Sequence, residues 1–340
     1  MIFVTGGTGM LGSHLLFDLV SAGKKTCALK REHSSTEDTR KIFSYYSKDA
    51  ENLFNQINWA EGDVLDYHSI DDALKNAEQV YHCAAEVTFN SRDKKSIIRT
   101  NIDGTSNIVN AALKNGIKKM LHVSSIAALG RANTKGIIDE ECHWEPSGTN
   151  STYSISKYEA EREVWRGMEE GLDAVIVNPS VILGPGDWNK GSSQIFKTVH
   201  HGLRFYTKGM NGYVDVRDVS KAMIMLMESE IKSDRFILSS ENVNYQKLLN
   251  LMADGFGKAH PNIKAGKFIS AVAWRLEKAR SVITRQSPLL TKESTSIANK
   301  NYFYNSEKIK KAIGFEFIPL EKTVEDACKL FMKPNLNAHG

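Results

Sequence analysis

Short, mostly apolar runs alternate with longer amphipathic stretches through the first half of the chain. "MIFVT" (1–5), "KTCALK" (25–30), "INWAEGD" (57–63), "QVYHCAA" (79–85), "KMLHVSS" (119–125) and "DAVIVNPS" (173–180) read as strands. Several are nearly continuously apolar, the signature of parallel strands covered on both faces. "MLGSHLLFDLVSAG" (10–23) and "TSNIVNAALKNG" (105–116) read as helices, and both end in glycine, a common helix stop. This β–α alternation predicts an α/β fold with a doubly wound parallel sheet. After Pro179 the pattern changes. "VILGPGDWNKGSS" reads as a loop, "YVDVRDVSKAMIMLMES" (213–229) as strand then helix, and "RFILSS" (235–240) as a further strand. We therefore expect a dinucleotide-type domain over 1–178, to which 213–240 returns. A smaller, mostly helical substrate lobe is expected from 179–212 and 241–332, and a tail from 333–340.

Composition narrows the picture only a little. Of 340 residues, 41% are hydrophobic and 25% charged, which suits a globular protein with a sizeable core. A net charge of +4 gives no field strong enough to suggest a nucleic-acid partner. No apolar run approaches the roughly 20 residues of a membrane span, so no stable membrane insertion is expected. The first residues lack signal-peptide features, and the four cysteines lack metal-ligand spacing. A cytoplasmic protein with reduced thiols and no metal is the expectation.

The first strand runs into "VTGGTGMLG" (4–12), with glycines at 6, 9 and 12. Glycines there permit a sharp turn and close approach to a pyrophosphate, and the next helix begins with free N–H groups. Gly6, Gly9, Met10, Leu11 and Gly12 are thus candidate dinucleotide contacts. The second strand ends in Lys30 and Arg31, about 19 residues beyond Gly12. Many NAD-binding proteins place a carboxylate there for the ribose hydroxyls, whereas cations attract a 2′-phosphate. NADP is the expected cofactor. Glu32 follows directly, and NAD stays open as the alternative. Asp63 and Val64, after the third strand, are candidates for the adenine amino group and ring face.

"YSISKYEAE" (153–161) places Tyr153 and Lys157 on one helix face. On its own this is an ordinary surface pair. Beside a bound nicotinamide it is a proton device, because a cation near a phenol favours the phenolate.

"TGGTGMLG", "GDVLD", "HCAAEV", "NIDGT", "HVSSIAALG", "YSISK" and "NPSVILGPGD" occur in the order typical of the extended short-chain dehydrogenases/reductases, and the chain resembles that superfamily over about its first 190 residues. Within it, the resemblance leans toward dihydroflavonol 4-reductase-like and 3β-hydroxysteroid dehydrogenase-like members. It implies a Rossmann fold, Tyr153 as acid/base, Lys157 as its partner and Ser125 as the serine holding the substrate oxygen. It makes Asn101 an organiser of the proton path and sets Ser124 on the cofactor side. Ala84 and Ala85 then flank the nicotinamide-side ribose, and Asn178, Pro179 and Ser180 lie beside nicotinamide and substrate. Relatives dimerise through helices that correspond to 91–115 and 153–169, so a homodimer is implied.

The reading that follows is an NAD(P)-dependent oxidoreductase acting on a carbonyl or alcohol of a small organic substrate. Two alternatives stand beside it. One is a nucleotide-sugar epimerase with tightly held NAD, with Arg204, Lys208 and Arg217 as candidate diphosphate partners. The other is a catalytically silent NADP-binding protein. The acidic pair that sugar dehydratases place after the catalytic hydroxyl residue is replaced here by Ile126-Ala127. Glu86, Val87, Thr88, Phe89, Ile126, Trp188 and Tyr213 are candidates for lining the substrate pocket. The stretch 268–283 has helical apolar spacing with a basic opposite face, suiting a lobe helix or a lid.

Overall fold

Each apolar run expected to be a strand forms one, and six of them, joined by a seventh from later in the chain, make the central sheet. The computed structural model describes residues 1–87, 93–130, 136–148, 150–266, 274–275 and 298–333. In chain order the strands are β1 (Ile2–Thr5), β2 (Thr26–Lys30), β3 (Asn58–Glu61), β4 (Gln79–His82), β5 (Lys119–Val123) and β6 (Ala174–Pro179). They continue with β7 (Val181–Leu183), β8 (Phe205–Tyr206), β9 (Met210–Asp215), β10 (Asp234–Leu238), β11 (Glu241–Asn244) and β12 (Ile263–Lys264). The large sheet has the order β10-β6-β5-β4-β1-β2-β3, and every pair in it is parallel. The order reverses between β1 and β4, so a crevice opens there beyond the strands' carboxyl ends.

Apolar side chains on the two sheet faces explain why the strands tolerate so little polarity. One face packs Leu15, Leu16 and Leu19 of helix Met10–Ser21 and Met223 and Leu226 of helix Val216–Glu228 against Val4, Leu121 and Val175. The other packs Ile108, Val109 and Ala112 of helix Gly104–Lys114 and Val164 of helix Thr152–Glu169 against Phe3, Val80, Met120 and Ile176.

The segment 213–240 divides between two sheets instead of returning to the large one as a unit. Its helix and β10 join the large sheet, but β9 pairs with β7 and β11 in a separate three-stranded sheet. The expected loop after Pro179 opens with β7 and runs on to the start of helix Ser193–His200. Among the described residues the smaller lobe carries a sheet as well as helices: β7, β9 and β11 back onto helices Tyr245–Gly255 and Leu320–Met332. Helical spacing over 268–283 lies outside the described residues, apart from Trp274 and Arg275.

Candidate active site

The glycine turn is shaped by backbone contacts that no side chain would permit. Gly6 has φ +71°, and its carbonyl accepts the Gly9 N–H at 3.0 Å. A Cβ on Gly6 would fall 2.7 Å from the Ala84 nitrogen, and one on Gly12 would fall 2.2 Å from the Gly6 oxygen. The exposed Gly9 begins the helix without a side-chain cap, so the N–H groups of Met10, Leu11 and Gly12 remain for a ligand. Met10 and Leu11 themselves are half-buried, and the Met10 sulfur accepts a hydrogen bond from Ser193 Oγ at 3.4 Å.

At the far edge, Arg31, Glu32, His33 and Ser34 face Glu61, Gly62 and Asp63 across a cleft of 490 Å³. Lys30 is set back from this cleft, with its carbonyl taking the Gly62 N–H at 3.0 Å. Asp63 turns one carboxylate oxygen to the Leu65 N–H at 2.9 Å, and Val64 is buried against Gly104.

Tyr153 opens the third group as the second residue of helix Thr152–Glu169, which Ser151 caps by accepting the Ser154 N–H at 2.9 Å. Lys157 follows four residues later and is almost fully buried. Ser125 caps the short helix Ile126–Ala128 by accepting the Ala127 N–H at 3.1 Å, and its hydroxyl lies near enough to the Tyr153 phenol to act on it. Burial pushes that phenol above its ordinary value of 10, and the Ser125 contact opposes the rise. The ammonium of Lys157, the residue that the resemblance makes the partner of Tyr153, donates to the Val123 carbonyl at 2.8 Å. Desolvation lowers Lys157 to about 8, against the raising influence of Cys83 and Glu161. It therefore stays cationic at neutral pH.

Asn101 lies in a π-helical turn, Arg99–Asp103, of the kind that recurs at functional sites. Its amide accepts the Glu86 N–H at 2.7 Å and donates to the Glu86 carbonyl at 3.1 Å and to Ser156 Oγ at 2.9 Å. The loop containing Ala84, Ala85 and Glu86 is thereby tied to the Tyr153 helix. A buried chain also joins the glycine turn to Asn101: Thr5 to His82 Nδ1 at 2.7 Å, His82 Nε2 to Thr105 at 3.0 Å, and Thr105 to the Asn101 carbonyl at 2.6 Å. Burial, helped by the Lys157 charge, lowers His82 to about 3.

Ser124 and Asn178 both donate to Glu161, at 2.8 and 2.9 Å, and Asn178 also donates to the Ser125 carbonyl at 3.0 Å. Pro179 and Ser180 are buried directly after Asn178. Glu161, with its partner Arg235 at 2.9 Å, escaped the sequence reading. The signal was present, since 153, 157 and 161 continue one i, i+4 row. Thr5 and Thr105 gave no such signal, because only the fold makes them neighbours. Among the candidate pocket residues, Ile126 sits next to Ser125 and packs on the buried cluster of Leu129, Ile138, Cys142 and Ile237. Glu86 takes a hydrogen bond from Ser96, and Val87 is exposed. Trp188 and Tyr213 are packed in the core of the smaller lobe. Thr88 and Phe89 lie outside the described residues. Arg217 is engaged by Asp215, through Nε at 3.0 Å and Nη2 at 2.6 Å, and by Asp326 at 3.1 Å.

A parallel sheet with a glycine turn at its switch point, and a Ser-Tyr-Lys constellation beyond β5, define a Rossmann-type protein of the short-chain dehydrogenase/reductase kind. The chain belongs to the NAD dependent epimerase/dehydratase family, whose model matches residues 2–238. It is 27% identical over 341 residues to a protein of Synechocystis sp. assigned as a dihydroflavonol 4-reductase, covering 97% of this chain and 94% of the other. A Candida albicans protein assigned as an NADPH-dependent methylglyoxal reductase is likewise 27% identical, over 96% of each chain. In structure the chain is similar to gox2253, with TM-score 0.79 and 28% identity over 97% of both chains.

The residues present fit a nicotinamide dinucleotide. At one end stand the closed glycine turn and its uncapped helix. At the other, Asn178 Oδ1 and Ser180 Oγ are buried without a partner among the described residues.

Proposed function

We propose that the protein is an NADP(H)-dependent reductase of a small carbonyl compound, with Tyr153 as the proton donor. The observation that carries this reading is that one helix brings Tyr153 and the buried Lys157 together, with the Ser125 hydroxyl beside the phenol and the Lys157 ammonium on the Val123 carbonyl at 2.8 Å. Gly6, Gly9, Gly12 and the N–H groups of Met10 and Leu11 would hold the dinucleotide's phosphates. Arg31 would take the 2′-phosphate, and Asp63 and Val64 the adenine. The coenzyme supplies hydride when bound. Ser125 would hold the carbonyl oxygen in line with the phenol, which removes the need for solvent to reorganise as charge develops. Tyr153 would pass its proton to that oxygen. Lys157 would keep positive charge beneath the phenol as the proton leaves, and Asn101 would keep the Glu86 loop and the helix in one frame.

Support for net reduction over sugar epimerisation comes from Arg217. A guanidinium already bound by two carboxylates has little capacity left for a diphosphate.

The test is absorbance at 340 nm with NADPH and a panel of aldehydes, ketones and nucleotide sugars. Carbonyl-dependent loss of NADPH, abolished by Tyr153→Phe, is expected. Interconversion of a sugar nucleotide with no net change in cofactor would replace this reading with the epimerase one.

A further inference from the structure

One carboxylate in this molecule is buried more deeply than its chemistry favours. Glu161 is 2% exposed and accepts hydrogen bonds from four groups. Oε2 takes Ser124 Oγ at 2.8 Å and Asn178 Nδ2 at 2.9 Å. Oε1 takes Arg235 Nη1 at 2.9 Å and Trp165 Nε1 at 3.4 Å. These donors come from the end of β5, from β6, from β10 and from the helix that carries Glu161 itself. Removing a carboxylate from water costs several kcal/mol, and well-packed apolar residues often stabilise such a position as well or better. Stability alone is therefore a poor account of Glu161. Its contacts suggest another: Ser124 precedes Ser125, and the Asn178 amide that donates to Glu161 also donates to the Ser125 carbonyl.

We propose that Glu161 is a positioning residue, whose carboxylate, anchored from outside by Arg235, fixes the Ser124–Ser125 turn and Asn178 against the Tyr153–Lys157 face of its own helix. The proposal rests on the reductase reading for its kinetic consequences but not for its geometry. Arg235 is in turn held by Ile237's neighbour across the sheet edge: its Nε donates to the Glu140 carbonyl at 3.0 Å. The groups that face Lys157 electrostatically are Cys83, His82, His122 and Glu161. Of these, Glu161 is a carboxylate that favours the ammonium.

The experiment compares wild type, Glu161→Gln and the double variant Glu161→Gln/Arg235→Met. Glu161→Gln alone leaves Arg235 as an unmatched, largely buried cation, and a lower Tm is expected from that alone. The double variant removes the stranded charge and is expected to regain most of the Tm. Its kcat is expected to stay about tenfold to a hundredfold below wild type, since small misplacement of reacting groups has effects of that size. Its Kd for NADPH should stay within about twofold, as expected of a group that acts through orientation. The alkaline fall in kcat should move to lower pH, because a charge that helps Lys157 keep its proton is gone. Recovery of wild-type kcat together with Tm would overturn the proposal. A second readout needs no turnover: the [13Cζ]tyrosine signal of Tyr153 at neutral pH, assigned with Tyr153→Phe. In the double variant it should move in the same direction as in Ser125→Ala, since both loosen the Ser125 contact. An unmoved signal would refute positioning even if wild type turned over none of the carbonyls or sugars, and that second result would bear on the reductase reading alone.

Discussion

The two ends of the proposed coenzyme groove are built on opposite plans. At the inner end, Lys157, Glu161, Ser124 and Asn178 are buried, and their polar side-chain atoms, Asn178 Oδ1 excepted, are held by partners a few ångströms away. At the outer end, Arg31, Glu32 and His33 lie exposed around an open cleft. Low effective dielectric makes each inner contact strong and each lost partner costly. Water and salt screen the outer contacts. The inner end should therefore decide whether chemistry occurs, and the outer end only which coenzyme is preferred.

The sharpest break of that contrast is at the phenol. Tyr153→Phe is expected to lower turnover by about a thousandfold, the usual scale for a lost general acid. NADPH binding, measured by fluorescence quenching, should remain within about twofold of wild type, as an effect confined to the chemical step requires. A joint loss of both would mean that Tyr153 only shapes the groove.

Gly12→Ala probes the backbone floor between the two ends. The new methyl would meet the Gly6 oxygen at 2.2 Å, so the turn must shift. Nucleotide affinity is expected to drop about tenfold or more, with about 1–3 kcal/mol of stability lost to overpacking. Calorimetric Kd values matching wild type would show that the turn relaxes freely.

Arg31→Ala tests the outer end. NADPH affinity should weaken about tenfold, the scale of one charge-assisted contact near solvent. Rising salt should shrink that gap, and NADH affinity should barely change. Equal weakening for both coenzymes would remove Arg31 from phosphate recognition.

The smallest effect belongs to pH. Burial lowers His14 from 6.5 to about 4 and His82 to about 3. Their unfolded-state counterparts bind protons first as pH falls through 6.5, so the unfolded chain gains and stability drops from there down toward the folded values. Thermal melts should show Tm falling by a few degrees between pH 7 and 5, and a flat profile would contradict the burial of these rings as neutral bases.

Legibility in the sequence follows the same division between local and distant. β1 and the turn after it are legible because Gly6, Gly9 and Gly12 recur at a fixed local spacing between a strand and a helix, although what crowds Gly6 is the distant Cys83–Ala84 backbone. Tyr153 and Lys157 were readable because a helix fixes four-residue spacing. β7 was misread as loop, since three residues before Gly184-Pro185-Gly186 carry too little periodicity. That β9 pairs with β7 and β11 and not with the large sheet is not legible, because an apolar strand does not declare its partners. The union of Thr5, His82, Thr105 and Asn101 depends on separations of up to 77 residues, which no local pattern encodes.

The join between β6 and β7 has a mechanical side. A single residue, Ser180, separates a strand of the large sheet from a strand of the small one. Three residues of extended chain span only about 10 Å, so there is no slack to absorb relative tilt. The smaller sheet cannot swing as an independent flap. The first strand of that sheet starts two residues after Pro179 and three after Asn178, whose amide donates to the Ser125 carbonyl, so a shift at Val181 has a short covalent path to the site.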